Sequence, residues 1–225
     1  MVESPESRDH AEETGQAQLS VGLKYSKKIM SCDECSQRYH CTEPVPGVGP
    51  FNAKMVLVGD FPDDETSTPF DRPAWELLLT LLAEIGAIVW EDAEKLKFVN
   101  SGVFITTAVK CGNKTGHKPR AKEMAKCRPW LGAQLGVIGR GAVIVGLGNL
   151  AMAAITGKPL SKCKVSFTHG SFESIHDRLV CFTLHPGYVV HRGHETGGRA
   201  RDELKTDLEL AWRAANRELV QSNNA

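Results

Sequence analysis

Four of the seven cysteines in this 225-residue chain are spaced for metal chemistry. Cys32 and Cys35 form a C-x-x-C, and Cys111 and Cys127 follow as distant single thiols, each set among lysines and arginines. A close pair plus two distant thiolates suits a [4Fe–4S] cluster, which takes four sulfurs from wherever the fold supplies them. Tetrahedral zinc accepts the same four, so spacing leaves both open. Cys41 lies close enough to the pair to compete as a ligand, while Cys163 and Cys181 read as ordinary thiols. Oxygen and nitrogen chemistry has its own candidates. Gly59-Asp60-Phe61-Pro62-Asp63-Asp64-Glu65 concentrates carboxylates after one apolar run, and His185-Pro186-Gly187 closes another. Acidic Pro-Asp-Asp turns are also common surface chemistry, so the carboxylates alone do not decide the matter.

These residues need elements to position them. Four short apolar runs, Met55–Gly59, Val103–Val109, Ala142–Leu147 and Leu179–Leu184, read as buried parallel strands. Helical patterns lie between and after them at Pro73–Ile85, Lys122–Gly136, Asn149–Thr156 and Ala200–Val220. Alternation over Lys164–Phe172 suggests a hairpin before the fourth strand. Strand–helix alternation predicts an α/β three-layer sandwich, with a central four-stranded parallel sheet flanked by helices. Ligands of such sheets bind outside the carboxyl ends of the strands, where Gly59, Thr107, Gly146 and His185 all fall. Gly146-x-Gly148 lacks a fuller dinucleotide fingerprint, so no nucleotide cofactor is expected.

Length and a 41% hydrophobic content suit a single globular core. The polar, acidic residues 1–20 read as a disordered tail, followed by one domain over 21–225. No apolar stretch approaches a membrane span and no signal peptide opens the chain, so a cytoplasmic protein with reduced thiols is expected. Formal net charge is zero, but it is unevenly placed. Residues 1–20 hold five acids and Arg8; setting them aside from the totals of 27 and 27 leaves 26 basic and 22 acidic residues, a net +4. Lys110 to Arg128 carries seven lysines and arginines against Glu123 alone, and a second basic stretch runs from His191 to Lys205. Such clusters neutralise phosphates, or simply form a solvated basic face.

The order of these pieces resembles the iron–sulfur (family 4) uracil-DNA glycosylases from about Ser31 to Trp212. The shared pieces are the C-x-x-C, Val58-Gly59-Asp60-Phe61-Pro62, Pro69-Phe70, Ile105 to Cys111, Cys127, Ile144-Val145-Gly146-Leu147-Gly148 and His185-Pro186-Gly187. The resemblance implies a DNA glycosylase with a [4Fe–4S] cluster on Cys32, Cys35, Cys111 and Cys127, acting on DNA as a monomer. It implies that Asp60, which replaces the family's usual glutamate, activates water or stabilises the sugar cation, with Asp63 second. His185 would donate to a base carbonyl as charge builds there, and Phe70 would stack on the base. Lys110, Lys114, Lys118, Arg120 and Arg192 are the expected phosphate contacts, and Tyr188 heads a Tyr-Val-Val segment that could wedge into the space of a flipped nucleotide.

Three departures bear on the substrate. The relatives end their second strand in an asparagine that reads uracil through paired amide contacts, whereas this chain has Thr107, and a hydroxyl cannot reproduce a two-point contact. Asp71-Arg72-Pro73-Ala74-Trp75 replaces a glycine-containing segment. The Pro62–Pro69 loop is shorter than usual, and Phe61 stands where a small residue is common. Phe61, Phe70, Arg72 and Thr107 are therefore the expected base contacts of a glycosylase of altered specificity. Its substrate would be a modified or damaged base, such as a substituted pyrimidine of phage DNA, with antiviral defence as the role. Ordinary uracil excision and a non-catalytic iron–sulfur DNA-binding module are the alternatives.

Overall fold

The computed structural model describes residues 5–63, 67–92, 97–100, 102–112, 118–192, 195 and 198–216. Five strands form the main sheet: β1 (Met55–Gly59), β4 (Val103–Thr107), β5 (Val143–Leu147), β6 (Phe172–Ile175) and β7 (Arg178–Thr183). Their order is β4-β1-β5-β7-β6, and every pairing is parallel except β6 with β7. The expected four parallel strands are therefore present, with one antiparallel strand added at the edge. The hairpin lies later than the alternation suggested. Its two-residue turn is His176-Asp177, both with positive φ of 51° and 59°, a geometry that matches the twist of the flanking strands.

The strands are five or six residues long where they pair in parallel, and nearly every side chain in them is buried. Successive residues therefore feed two cores. Val56, Val58, Phe104, Ile144, Val180 and Phe182 face one layer, made by α3 (Ala121–Ile138) and α4 (Asn149–Thr156). Met55, Leu57, Val103, Ile105, Val145 and Cys181 face the other, made by α2 (Arg72–Glu84) and α6 (Arg199–Ala215). Asp71 caps α2 by accepting from Ala74 N at 2.9 Å, with Pro73 in the first turn. Register sets Gly59 beside Thr107, Val58 beside Gly146 and Leu147 beside Thr183, so the carboxyl ends of the four parallel strands finish level.

Two elements differ from the sequence reading. A helix, α1, spans Pro5–Met30, including most of the segment expected to be disordered. Its amphipathic signal is weak, and what holds it is tertiary. Gly22 packs beneath the Phe51 ring with no room for a Cβ, Gln18 Nε2 donates to Val137 O at 3.2 Å, and Ile29 is fully buried. A separate ribbon, β2 (Ile88–Asp92) with β3 (Lys97–Asn100), forms between α2 and β4 and is fastened by an edge-to-face Trp90–Phe98 pair. Among the described residues no helix is long and apolar enough to cross a membrane.

Candidate active site

Strand order reverses at β1, since β4 lies on one side of it and β5 on the other. The crevice outside their carboxyl ends is the natural ligand position of such a sheet. Asp60 enters it directly from β1. Its backbone is fixed by Val109 N donating to Asp60 O at 3.1 Å and Ala108 N donating to Gly59 O at 2.8 Å. Its carboxylate accepts from Ala151 N at 3.1 Å, in the first turn of α4. Burial nevertheless raises its pKa above the usual carboxylate value, against the opposing pull of His185.

His185 leaves β7 from the other side. Gly187 N donates to His185 Nδ1 at 3.0 Å, so the neutral ring carries its proton on Nε2. Burial lowers its pKa, while Asp60 and then Asp71 oppose that shift; the imidazole is thus a neutral donor at physiological pH. Close approach explains the glycines. A Cβ on Gly148, whose φ is +99°, would sit 3.1 Å from His185 Cβ and 3.3 Å from Asp60 Oδ1. One on Gly59 would sit 2.5 Å from the Phe70 ring, which lies over the strand end. Phe70 stacks on Trp75 at 6.3 Å between centroids and tilts against His185 at 5.3 Å.

These groups open into a cleft of about 480 Å³, large enough for a nucleobase. Of the expected residues, Asp60, Asp63, Phe61, Phe70, Lys118, His185 and Tyr188 line it together. Tyr188 stands on α5 (Pro186–Arg192), 46% exposed at the rim, while its neighbour Val189 turns inward. Asp71 and His191 also line the cleft and approach each other at 3.8 Å. Sequence reading missed both as site residues, because the contact joins the cap of α2 to the end of α5 and no local pattern reports it.

Other expected residues lie elsewhere. Lys110 does not reach DNA: it is 1% exposed, and Nζ donates to Thr106 Oγ1 at 2.7 Å and to Thr107 O and Gln134 Oε1 at 2.6 Å each. Burial brings its ammonium down to about 7. Thr107 is buried too and its hydroxyl donates to Val109 O at 2.8 Å, so it does not line the cleft. Arg72 is outside the cleft, paired with Glu76 at 2.8 Å on the exposed face of α2. Arg192 is exposed and pairs with Glu195 at 3.2 Å. Arg120 is exposed at the start of α3, its N–H donating to Glu123 Oε2 at 2.7 Å. Lys114 lies outside the described residues. Part of the second basic stretch is spent internally, Arg201 and Lys205 both pairing with Glu84 at 2.5 and 2.7 Å.

Of the four expected metal ligands, Cys35 interacts electrostatically with both Cys111 and Cys127, and Cys32 with Cys127. Val45 N donates to Lys110 O at 2.7 Å and Gln37 Nε2 to Gly112 O at 3.0 Å, pinning the segment after the C-x-x-C against Cys111. Burial raises the Cys111 thiol, and Cys41, Cys127 and Cys35 raise it further. Burial also raises Cys127, offset by Lys110 N donating to its sulfur at 3.3 Å and reinforced by Cys35 and Cys32. Thiols that disfavour one another's ionisation in this way fit a cationic group that takes several thiolates at once. Among the described residues no three of these groups close to the spacing of one bound ion.

A buried carboxylate, a neutral histidine of fixed tautomer, an aromatic wall and a lysine at the rim define an α/β enzyme for acid–base chemistry on a flat, anionic substrate. Residues 46–209 match the family described as the Uracil DNA glycosylase superfamily. The chain belongs to that superfamily and is a DNA glycosylase, a hydrolase of N-glycosyl bonds. It is 28% identical to a type-4 uracil-DNA glycosylase of Pyrobaculum aerophilum over 83% of this chain and 91% of that one. A type-4 enzyme of Thermotoga maritima is 32% identical over 73% of this chain and 81% of its own. A type-5 uracil-DNA glycosylase of Thermus thermophilus is 31% identical over 57% and 61%.

Proposed function

We propose that the chain excises a modified or damaged base from DNA, a substituted pyrimidine fitting best, and leaves an abasic site. The observation that carries this reading is the position of Thr107. The residue standing for the relatives' base-reading asparagine spends its hydroxyl on Val109 O, away from the cleft. The cleft is walled instead by Phe61, Asp63, Asp71, Lys118, Tyr188 and His191, which leaves room and polar partners for a substituent. Where that base is a bulky 5-substituted cytosine of phage DNA, the role is defence against foreign DNA.

The chemistry follows from the geometry. A flipped base lies against Phe70, and the bond from its nitrogen to C1′ of the sugar breaks with both electrons going to the base. His185 Nε2–H donates to the base atom that gathers this charge. Asp60 faces the sugar as it becomes cationic and takes a proton from the water that adds to C1′. Lys118 serves the neighbouring phosphate. A [4Fe–4S] cluster would be held by Cys32, Cys35, Cys111 and Cys127, and it would fix the N-terminal segment against the start of α3. Phosphate contacts fall to Lys118, Arg120 and Arg192.

Uracil excision is the second reading, favoured by the activity for which the type-4 relatives are named. Incubation with uracil DNA, oxidised pyrimidines and phage DNA bearing substituted cytosines, with the released base identified by mass spectrometry, separates the two. A substituted base released well above uracil upholds the proposal. Uracil alone replaces it with repair, and no release from any DNA, with binding intact, leaves a non-catalytic module.

A further inference from the structure

Between β5 and β6 the chain makes a long return that the catalytic groups do not use. From Asn149 to Phe172 it contains no Asp or Glu, and it carries Lys158, Lys162 and Lys164. Through its second half burial alternates. Cys163 and Val165 are 2% and 3% exposed, while Lys162, Lys164 and Ser166 face solvent. Phe167, the last of the run, is 80% exposed, an unusual state for a phenyl ring, and Lys164 Nζ lies 5.8 Å from its centroid.

Two anchors set where this ring stands. Val165 N donates to Asn149 Oδ1 at 2.8 Å, and Asn149 directly follows Gly148, the glycine pressed between His185 and Asp60. On the other side His169 approaches Asp207 Oδ2 at 3.3 Å, the same oxygen that accepts from Thr183 Oγ1 at 2.6 Å, two residues before His185. β6 then begins beside the carboxyl end of β7, with Phe172 opposite Cys181. The segment is thereby fastened to the carboxyl ends of β5 and β7, the same edge of the sheet from which Asp60 and His185 open.

We propose that Phe167 with Lys162 and Lys164 forms a stacking platform for the DNA strand whose base occupies the cleft. The proposal rests on the reading that the cleft acts on DNA, and it adds where the strand runs and in what state. An exposed ring flanked by lysines binds unpaired nucleotides, because a base already stacked in a duplex has no free face to offer. The lysines neutralise the phosphates on either side of the stacked base, and their complementarity selects a polyanion as the occupant. The platform therefore favours single-stranded or locally opened DNA.

The test is fluorescence anisotropy with a labelled single strand and the matching duplex, each carrying a central tetrahydrofuran abasic analogue, over a series of salt concentrations. Phe167→Ala is expected to weaken single-strand binding about 5- to 150-fold, from the usual worth of one base–aromatic stack, and to affect the duplex less. Phe167→Trp is expected to restore binding and to show indole quenching by the strand beyond that of the four native tryptophans. Lys162→Ala with Lys164→Ala is expected to flatten the slope of log affinity against log salt by about 1.4, at about 0.7 for each phosphate no longer neutralised. Equal single-strand binding by wild type and Phe167→Ala, with no quenching in Phe167→Trp beyond that of the wild type, overturns the platform alone. A wild type that binds neither DNA overturns the platform and the DNA reading of the cleft together.

Discussion

Two buried polar centres stand near the carboxyl end of the sheet, and they behave oppositely. At Lys110 an ammonium meets three oxygens, from Thr106, Thr107 and Gln134, and is sealed from solvent. At Asp60 the protein supplies backbone donors from Ala151 and Leu150, at His185 one from Gly187, and both side chains line a cleft. A buried polar group that is fully partnered organises its surroundings, while one left partly unpartnered at an opening is available for chemistry. Charge alone does not tell the two apart; the partners of each atom do.

Breaking the open centre has the largest expected effect. Asp60→Asn keeps the acceptor for Ala151 and removes the base, so single-turnover base release should slow about 10²- to 10⁴-fold. The same variant should be more stable. Asp60 holds its proton more tightly folded than unfolded, so native stability falls as pH rises from 3.8 through the raised folded value. Thermal unfolding should give Asp60→Asn the higher Tm at neutral pH, converging with the wild type as pH falls toward 3.8.

His185→Gln should cost roughly 10²- to 10³-fold as a lost donor to the developing anion. It also sharpens the comparison through pH. The wild-type rate should fall on acidification as Asp60 and His185 take up protons, the histidine doing so below its ordinary 6.5. His185→Gln should keep only the carboxylate part of that limb, read from rate–pH profiles.

The sealed centre predicts a different response. Lys110→Met leaves Thr107 O and Gln134 Oε1 without this donor, and urea unfolding should show a loss on the order of 1–3 kcal/mol. The rate per folded molecule should stay near wild type. Arg72→Ala is the smallest test. Its exposed pair with Glu76 is worth about 0.5 kcal/mol or less, and base release should not change.

Much of the fold was legible in the chain. The apolar run at Met55–Gly59 and the helical pattern at Asn149–Thr156 coincide with β1 and α4, and the other expected strands and helices match observed ones within a few residues, the expected end of the last helix at Val220 lying outside the described residues, because buried strands and helix caps leave local patterns. The α1 helix was not legible, since its anchors at Phe51 and Val137 are distant in sequence. The site divides the same way. Asp60 and His185 were found from their place at strand ends, whereas Asp71 and His191 meet only through packing of α2 on α5. Lys110 misled because a basic stretch in sequence says nothing of which lysine turns inward.

The Gly187 amide that fixes the His185 tautomer has a wider consequence. The hydrogen on Nε2 is assigned by a main-chain amide, at a glycine where a Cβ would sit 3.0 Å from His185 Nδ1, while the walls of the cleft are side chains. Such a division lets a lineage exchange the walls and change what is cut, generation after generation, with the cutting step carried along intact.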